Sequence, residues 1–145
     1  MLIERVSINA SPLIVLFKSQ QAELLPQLFE EILVPDAVWS EVTASGQEDV
    51  ASRQLPTKTW ARKTEVGLIS PQVTAWDLGK GESAVISLAL SIPDCRVIID
   101  DRAARRCAQT QGIATLGTGA ILILRDAGLW LSEELVNLLK QQAGE

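Results

Sequence analysis

Two adjacent carboxylates, those of Asp100 and Asp101, follow an apolar run and precede a basic segment. The apolar run, residues 97–99, is typical of a short buried strand, and the segment after the acids is typical of a helix. In open α/β sheets, ligands bind outside the carboxyl ends of the strands. The two acids are therefore either a helix cap or part of a metal site. Asp100 is the better candidate ligand, because adjacent like charges in a cleft are commonly stabilised by a cation.

Three further side chains are candidates for the same edge of the sheet. Glu82 opens a helix predicted over residues 82–91, and the apolar stripe of that helix extrapolates back onto it. Glu41 lies three residues after Val38, at the border of a buried helix face. Asn9 follows the first predicted strand. Without a common ligand, Glu82 is a first-turn acid favoured by the helix dipole and Glu41 is a solvated surface residue.

Several acids at one sheet edge suit phosphodiester chemistry. A two-metal site needs three or four carboxylates converging on cations that lie about 3.5–4 Å apart. The candidate metal ligands are Asn9, Glu41, Glu82, Asp100 and Asp101.

Basic and hydroxyl side chains follow the acids. Arg102, Arg105 and Arg106 lie within about one helical turn of Asp101. They are either a solvated basic face or phosphate contacts beside a metal site. Thr118 lies between two glycines where a helix is predicted to begin, and free backbone N–H groups there can bind phosphate. Glycine at such a turn is also common for backbone reasons alone.

The composition excludes several other kinds of site. The chain of 145 residues has no histidine, which excludes Ser-His-Asp and Cys-His catalysis and histidine-ligated metals. Two cysteines are too few for a Cys₄ zinc site, and no dinucleotide-binding or P-loop glycine motif occurs. A net charge of −5 argues against a general basic surface for nucleic acid, but not against bound cations with a local arginine cluster. Carboxylate chemistry with Mg²⁺ or Mn²⁺ is the class that remains.

Strand and helix patterns alternate along the whole chain. Strands are predicted over residues 2–8, 32–34, 58–63, 97–99 and 113–116. A first helix is predicted to begin near Pro12, and further helices are predicted over residues 22–30, 36–44, 48–54, 82–91, 102–110 and 120–126. Ser11 is predicted to cap the first helix, and Ser132 is predicted to cap a last one. Gly46 is predicted to end the third helix. The alternation predicts an α/β domain with a parallel sheet and helices on both faces, spanning residues 1–145.

No apolar run is long enough to span a bilayer, and no signal-peptide pattern precedes the first strand. We therefore expect a cytoplasmic protein. Cys107 shares a predicted helix face with small residues, which indicates a buried free thiol.

Five segments resemble the PIN-domain superfamily, over about residues 3–130. They are residues 9–14 (Asn-Ala-Ser-Pro-Leu-Ile), 33–42, 81–89, 99–106 and 117–118. The most specific parts are Gly81-Glu82 and Asp100-Asp101-Arg102. The chain is similar in particular to a branch of uncharacterised prokaryotic PIN-like proteins that are regarded as toxin components of toxin–antitoxin pairs.

The resemblance implies a three-layer α/β/α fold with a central, mostly parallel sheet of four or five strands. It also implies Mg²⁺- or Mn²⁺-dependent cleavage of single-stranded RNA, a homodimer and a small antitoxin partner. By position, Glu41, Glu82 and Asp100 match the catalytic acids, with Asp101 beside them, and Ser11 matches a small hydroxyl residue near the first acid. Asn9 stands where the superfamily usually has its first aspartate, so the site has one negative charge fewer.

Two hypotheses of different classes follow. In the first, the protein is a PIN-like, metal-dependent ribonuclease in which the three acids hold the metal, Asn9 and Asp101 assist, and the arginines, Ser11 or Thr118 contact phosphate. In the second, the acids are structural remnants and the protein is a catalytically weak or inactive module that binds protein or RNA. Metal binding discriminates between the two.

Overall fold

Five strands form a single sheet in the computed structural model, which describes residues 3–44 and 48–127. They are β1 (Ile3–Ile8), β2 (Phe29–Pro35), β3 (Ala61–Thr64), β4 (Cys95–Ile98) and β5 (Thr115–Leu116). The spatial order is β3-β2-β1-β4-β5, and every neighbouring pair is parallel. The prediction of a largely parallel sheet of four or five strands is confirmed.

Eight α-helices connect or flank these strands within the described residues. They are α1 (Ala10–Lys18), α2 (Leu24–Leu28), α3 (Asp36–Thr43), α4 (Val50–Gln54), α5 (Pro71–Thr74), α6 (Lys80–Leu90), α7 (Arg102–Thr110) and α8 (Thr118–Ala127). A 3₁₀ turn, Leu55–Thr57, follows α4. The result is the three-layer α/β/α fold that the alternating patterns predict.

The central strand β1 has β2 on one side and β4 on the other, so the winding of the chain reverses at β1. In open parallel sheets, this reversal opens a crevice at the carboxyl ends of the strands. The helix α6 packs against β1, β2 and β4, and its Val85 and Ile86 are fully buried. The Ser7 hydroxyl of β1 donates a hydrogen bond of 3.0 Å to the Val85 carbonyl oxygen. These contacts hold the first turn of α6 beside the crevice.

The first helix begins earlier than the sequence predicts. Asn9, not Ser11, occupies the N-cap position, with an extended backbone (φ −84°, ψ 167°). The Asn9 N–H donates to the Ile98 carbonyl oxygen over 3.0 Å, so the chain is held to the sheet up to residue 9. It then turns into the helix at once, and Ser11 lies exposed in the first turn.

Other boundaries differ because tertiary contacts extend or shorten the local pattern. The strand β2 begins at Phe29, within the region predicted as helix, because Phe29 pairs with Ile3 of β1. Leu90 lies in the last position of α6 and is exposed, although it is apolar. The predicted roles of Gly46 and Ser132 lie outside the described residues. None of the helices in the described ranges is long and apolar enough to cross a bilayer.

Candidate active site

Asn9 lies at the centre of the carboxyl edge, directly after β1. Its side chain is only 4% exposed. The amide nitrogen Nδ2 donates a long hydrogen bond of 3.4 Å to Glu82 Oε1. The amide oxygen Oδ1 is buried and accepts no hydrogen bond. A buried acceptor without a donor is costly, so this oxygen is suited to a ligand that carries positive charge.

Glu82 lies in the first turn of α6, and its carboxylate folds back over the start of the helix. A Cβ atom at Gly79, the residue before the helix, would collide with Glu82 Oε2. Glycine at residue 79 therefore leaves the space that the Glu82 carboxylate occupies. The half-buried carboxylate also lies where the helix dipole favours negative charge. Glu82 lies on the predicted apolar stripe but is only half-buried, whereas residues 83–89 are buried.

Glu41 approaches the same place from α3. Its neighbours Val38 and Val42 are buried as predicted, and Glu41 itself is exposed at the border of that face. A Cβ atom at Gly81 would lie 3.0 Å from Glu41 Oε1 and 3.3 Å from Asn9 Oδ1. The two oxygens therefore face one small space above the backbone of α6. Asn9, Glu41 and Glu82 are brought together although three separate segments supply them.

A cavity of about 470 Å³ opens beside Glu41 and Gly81. Its lining residues are Asp36, Ala37, Ser40, Glu41, Lys80 and Gly81. Sequence reasoning missed Ser40 and Lys80, which add a hydroxyl group and a positive charge to the cleft. The available signal was their position next to Glu41 and Gly81, but neither has a distinctive spacing of its own.

Asp100 lies two residues beyond β4, and Thr118 engages both of its carboxylate oxygens. The Thr118 backbone N–H donates to Oδ1 over 2.8 Å, and the Thr118 hydroxyl donates to Oδ2 over 2.7 Å. The acid thus occupies the N-terminus of α8, the group predicted to bind phosphate. A Cβ atom at Gly117 would lie 3.2 Å from Asp100 Oδ1 and 2.9 Å from Arg105 Nη1. These groups form a second cluster at the same edge.

Asp101 is the N-cap of α7. Its Oδ2 accepts a hydrogen bond of 2.9 Å from the Ala104 backbone N–H. This is the cap role, one of the two roles that the sequence left open. The role of Asp101 as a metal ligand stays a prediction.

The other predicted contacts for phosphate differ in their surroundings. Arg102 and Arg106 are exposed on α7, whereas Arg105 is partly buried against Gly117. Ser11 is exposed on α1. None of the three arginines forms an ion pair with an acid of the described residues, so their charge is available to an anion.

The comparison with known families decides what kind of fold holds these groups. The family model for the PIN domain matches residues 5–125. The chain belongs to the PIN-domain family. No curated protein sequence matches it. The predicted resemblance is therefore confirmed at the level of the superfamily, and the PIN domain is a nuclease-type fold.

PIN domains generally use divalent metals, so the donor groups of this PIN domain can be tested for their fit to a cation. Within residues 3–44 and 48–127, no three acidic, histidine or cysteine side chains lie together as a metal-binding group. The neutral Asn9 explains part of this result, because it occupies the centre of the edge. Two carboxylates and an unpartnered amide oxygen are nevertheless oxygen ligands of the kind that Mg²⁺ and Mn²⁺ accept. The residues fit a cation, with less negative charge than three acids would provide.

Proposed function

We propose that the protein is a divalent-metal-dependent endoribonuclease that cleaves single-stranded RNA in the cytoplasm, with residues 1–145 as one PIN-like domain. The observation that carries the proposal is the buried Asn9 Oδ1, which accepts no hydrogen bond and faces the same space as Glu41 Oε1. Electronegative oxygens that converge without a donor favour a bound cation. The family match supports nucleic acid as the substrate.

In this proposal, carboxylates coordinate the cation, and Asn9 orients one of them, that of Glu82. Glu41, Glu82 and Asp100 are the catalytic carboxylates, with Asn9 and Asp101 as assisting ligands. Bound Mg²⁺ or Mn²⁺ would supply Lewis-acid stabilisation of the phosphate and an activated water. Asn9 Nδ2 orients the Glu82 carboxylate through its hydrogen bond.

The substrate contacts follow from the charges around the cleft. Arg102, Arg105 and Arg106 would hold the RNA phosphates, together with Ser11. The Thr118 end of α8 is engaged by Asp100 and would position that carboxylate instead. Lys80 adds a positive charge to the lining of the cleft. A local cationic rim of this kind is needed because the protein carries a net charge of −5.

The proposal predicts Mn²⁺-dependent cleavage of a fluorescent single-stranded RNA that EDTA abolishes. Glu82→Gln and Asp100→Asn should each lower the initial rate by at least about a hundredfold, since even outer partners of a metal contribute ten- to a hundredfold. Glu30→Gln is the matched control, because Glu30 is exposed near the amino end of β2, at the opposite edge of the sheet. Unchanged rates in both acid variants would reject the assignment of these acids.

A specific observation favours a second candidate, a PIN-like module that binds protein or RNA without cleaving it. Asp100 already has both oxygens engaged by Thr118, and the described residues contain no three-acid group. Isothermal titration separates the candidates. Absence of Mg²⁺ or Mn²⁺ binding at millimolar concentration would favour the binding module and reject the nuclease.

The role as a toxin, the small antitoxin partner and the homodimer are proposed on the family resemblance. A short open reading frame directly beside the gene would support an antitoxin partner. Light scattering on the purified protein tests the dimer, and a monomeric mass would reject it.

A further inference from the structure

Gly81 lies in the cleft, close to the side chains of Asn9, Glu41 and Val38. It is the second residue of α6 and is buried. An added Cβ atom would lie 3.0 Å from Glu41 Oε1 and 3.3 Å from Asn9 Oδ1, tighter than ordinary contact, but at an ordinary 3.6 Å from Val38 Cγ2. The space that a side chain would fill is thus bounded by two oxygens and one methyl group.

The two oxygens have no donor between them. Asn9 Oδ1 accepts no hydrogen bond, and its side chain is held in place because Nδ2 donates to Glu82. A buried acceptor is normally matched by a donor or a cation. The missing partner of Asn9 Oδ1 therefore belongs in the space above Gly81.

We propose that Gly81 is a positioning residue that keeps the cation seat open between Asn9 Oδ1 and Glu41. This inference rests on the proposed function for the presence of a cation, but it concerns a residue that holds no charge and binds no substrate. A methyl group at residue 81 would occupy the point where both oxygens converge. It would push the Glu41 carboxylate outward, and that exposed side chain is free to move.

The substitution Gly81→Ala separates cation binding from folding. Alanine is a better helix former than glycine, and the backbone of Gly81 is helical. The exposed Glu41 side chain can move without loss of a core contact, and the buried Asn9 side chain has to shift by only a few tenths of an ångström. The variant should therefore fold at least as well as the natural protein, while its cleft loses the convergence of the two oxygens.

The experiment measures Mn²⁺ binding to the full chain by isothermal titration, with thermal unfolding in EDTA as the readout of folding. Gly81→Ala should weaken Mn²⁺ affinity by about tenfold or more, as a disturbed metal surrounding does, with an unchanged or higher Tm. The matched control is Gly119→Ala. Gly119 is likewise the second residue of a helix, and an added Cβ atom there would meet none of the described residues within 4 Å.

Equal affinity in Gly81→Ala and the natural protein would overturn the inference, and so would a natural protein that binds no Mn²⁺. In a Glu41→Ala background, Gly81→Ala should cost no further affinity, because both changes act on the same carboxylate; additive losses would contradict this. If Gly81→Ala fails to fold, paramagnetic broadening by Mn²⁺ in the natural protein decides. The amides of residues 9, 41 and 81 should broaden first, and broadening centred elsewhere rejects the seat.

The RNA-cleavage assay on the same samples keeps this inference distinct from the proposed function. Binding that Gly81→Ala weakens, without RNA cleavage by the natural protein, supports the inference and rejects the nuclease. Cleavage with unaltered affinity in Gly81→Ala rejects the role of Gly81 alone.

Discussion

At the scale of single residues, the site depends on the two different ends of one amide. Asn9 Nδ2 is a donor to Glu82, and Asn9 Oδ1 is an acceptor directed at the cleft. A carboxylate could not supply the donor, so an aspartate here would face Glu82 with like charge. The neutral residue therefore lowers the repulsion among the acids when no cation is present.

Asn9→Asp should reverse this balance. In EDTA, we expect a lower Tm, with a loss of about 1–3 kcal/mol in the free energy of unfolding, because a buried hydrogen bond is exchanged for charge repulsion. With Mn²⁺, the added ligand charge should raise the affinity by about tenfold or more. Differential scanning fluorimetry without Mn²⁺ measures the expected fall in Tm, and the same measurement with Mn²⁺ tests the expected rise in affinity.

The control for added charge is Gln72→Glu, on the exposed surface of α5, which should show neither effect. A Tm of Asn9→Asp in EDTA equal to that of the natural protein would contradict the view that the amide stabilises the acids.

At the scale of elements, short connections bring the site together. After β1, β2, β4 and β5, a helix begins within four residues of the end of the strand. Parallel strands end at the same edge, so Asn9, Asp100 and Thr118 lie there together with the first turns of α1, α7 and α8. The glycines at residues 79 and 81 then leave room for the carboxylates of Glu82 and Glu41.

The helix α7 ends in a motif that requires a left-handed residue. Gly112 has a φ of +79°. Its N–H donates a hydrogen bond to the Gln109 carbonyl oxygen, and the Ile113 N–H donates one to the Ala108 carbonyl oxygen. This is the Schellman arrangement, and an L side chain in it costs about 1–2 kcal/mol. Gly112→Ala should lower the free energy of unfolding in urea by about that amount.

The cause would be backbone strain, because an added Cβ atom at Gly112 would meet no atom of residues 3–44 and 48–127 within 4 Å. Gly119→Ala, also in open space but within a helix, is expected to keep or raise stability. Equal stability of Gly112→Ala and the natural protein would show that the end of the helix relaxes.

At the scale of the whole molecule, the titratable groups suggest where stability depends on pH. The sequence has no histidine and no tyrosine, so two buried free thiols are prominent above neutral pH. Burial raises the pKa of Cys95 from its usual 9.0 to about 11, with Arg5 opposing and Glu31 adding to the shift. Burial also raises the pKa of Cys107, whose predicted burial is confirmed.

A thiol whose pKa is raised in the folded state stabilises the fold fully at pH values below its unfolded pKa. Between pH 9.0 and about 11, the unfolded chain loses the Cys95 proton while the folded protein keeps it, so stability falls as pH rises. Urea titrations across this range should show that decline, and Cys95→Ala should make it shallower. An identical alkaline slope in the variant would contradict this source of the pH dependence.

Local patterns in the sequence are sufficient to predict the architecture and the edge of the sheet at which the candidate site lies. Alternating strand and helix patterns are local, and their order allows a parallel sheet whose carboxyl ends must meet. The place of Glu82 in the first turn of its helix and the capping oxygen of Asp101 could be predicted for the same reason, because each depends on residues within one or two helical turns.

Which polar atoms have hydrogen-bond partners depends on the packing of segments that are remote in sequence. The Asn9–Glu82 hydrogen bond joins residues 73 positions apart, and Thr118 reaches Asp100 across 18 positions. The start of α1 at Asn9 depends on the distant Ile98 carbonyl oxygen. The proposed role of Gly81 depends on the oxygens of Glu41 in α3 and of Asn9 after β1, which lie above it. No local sequence pattern predicts this contact. Distances between segments remote in sequence arise from packing, which periodicity and propensity do not encode.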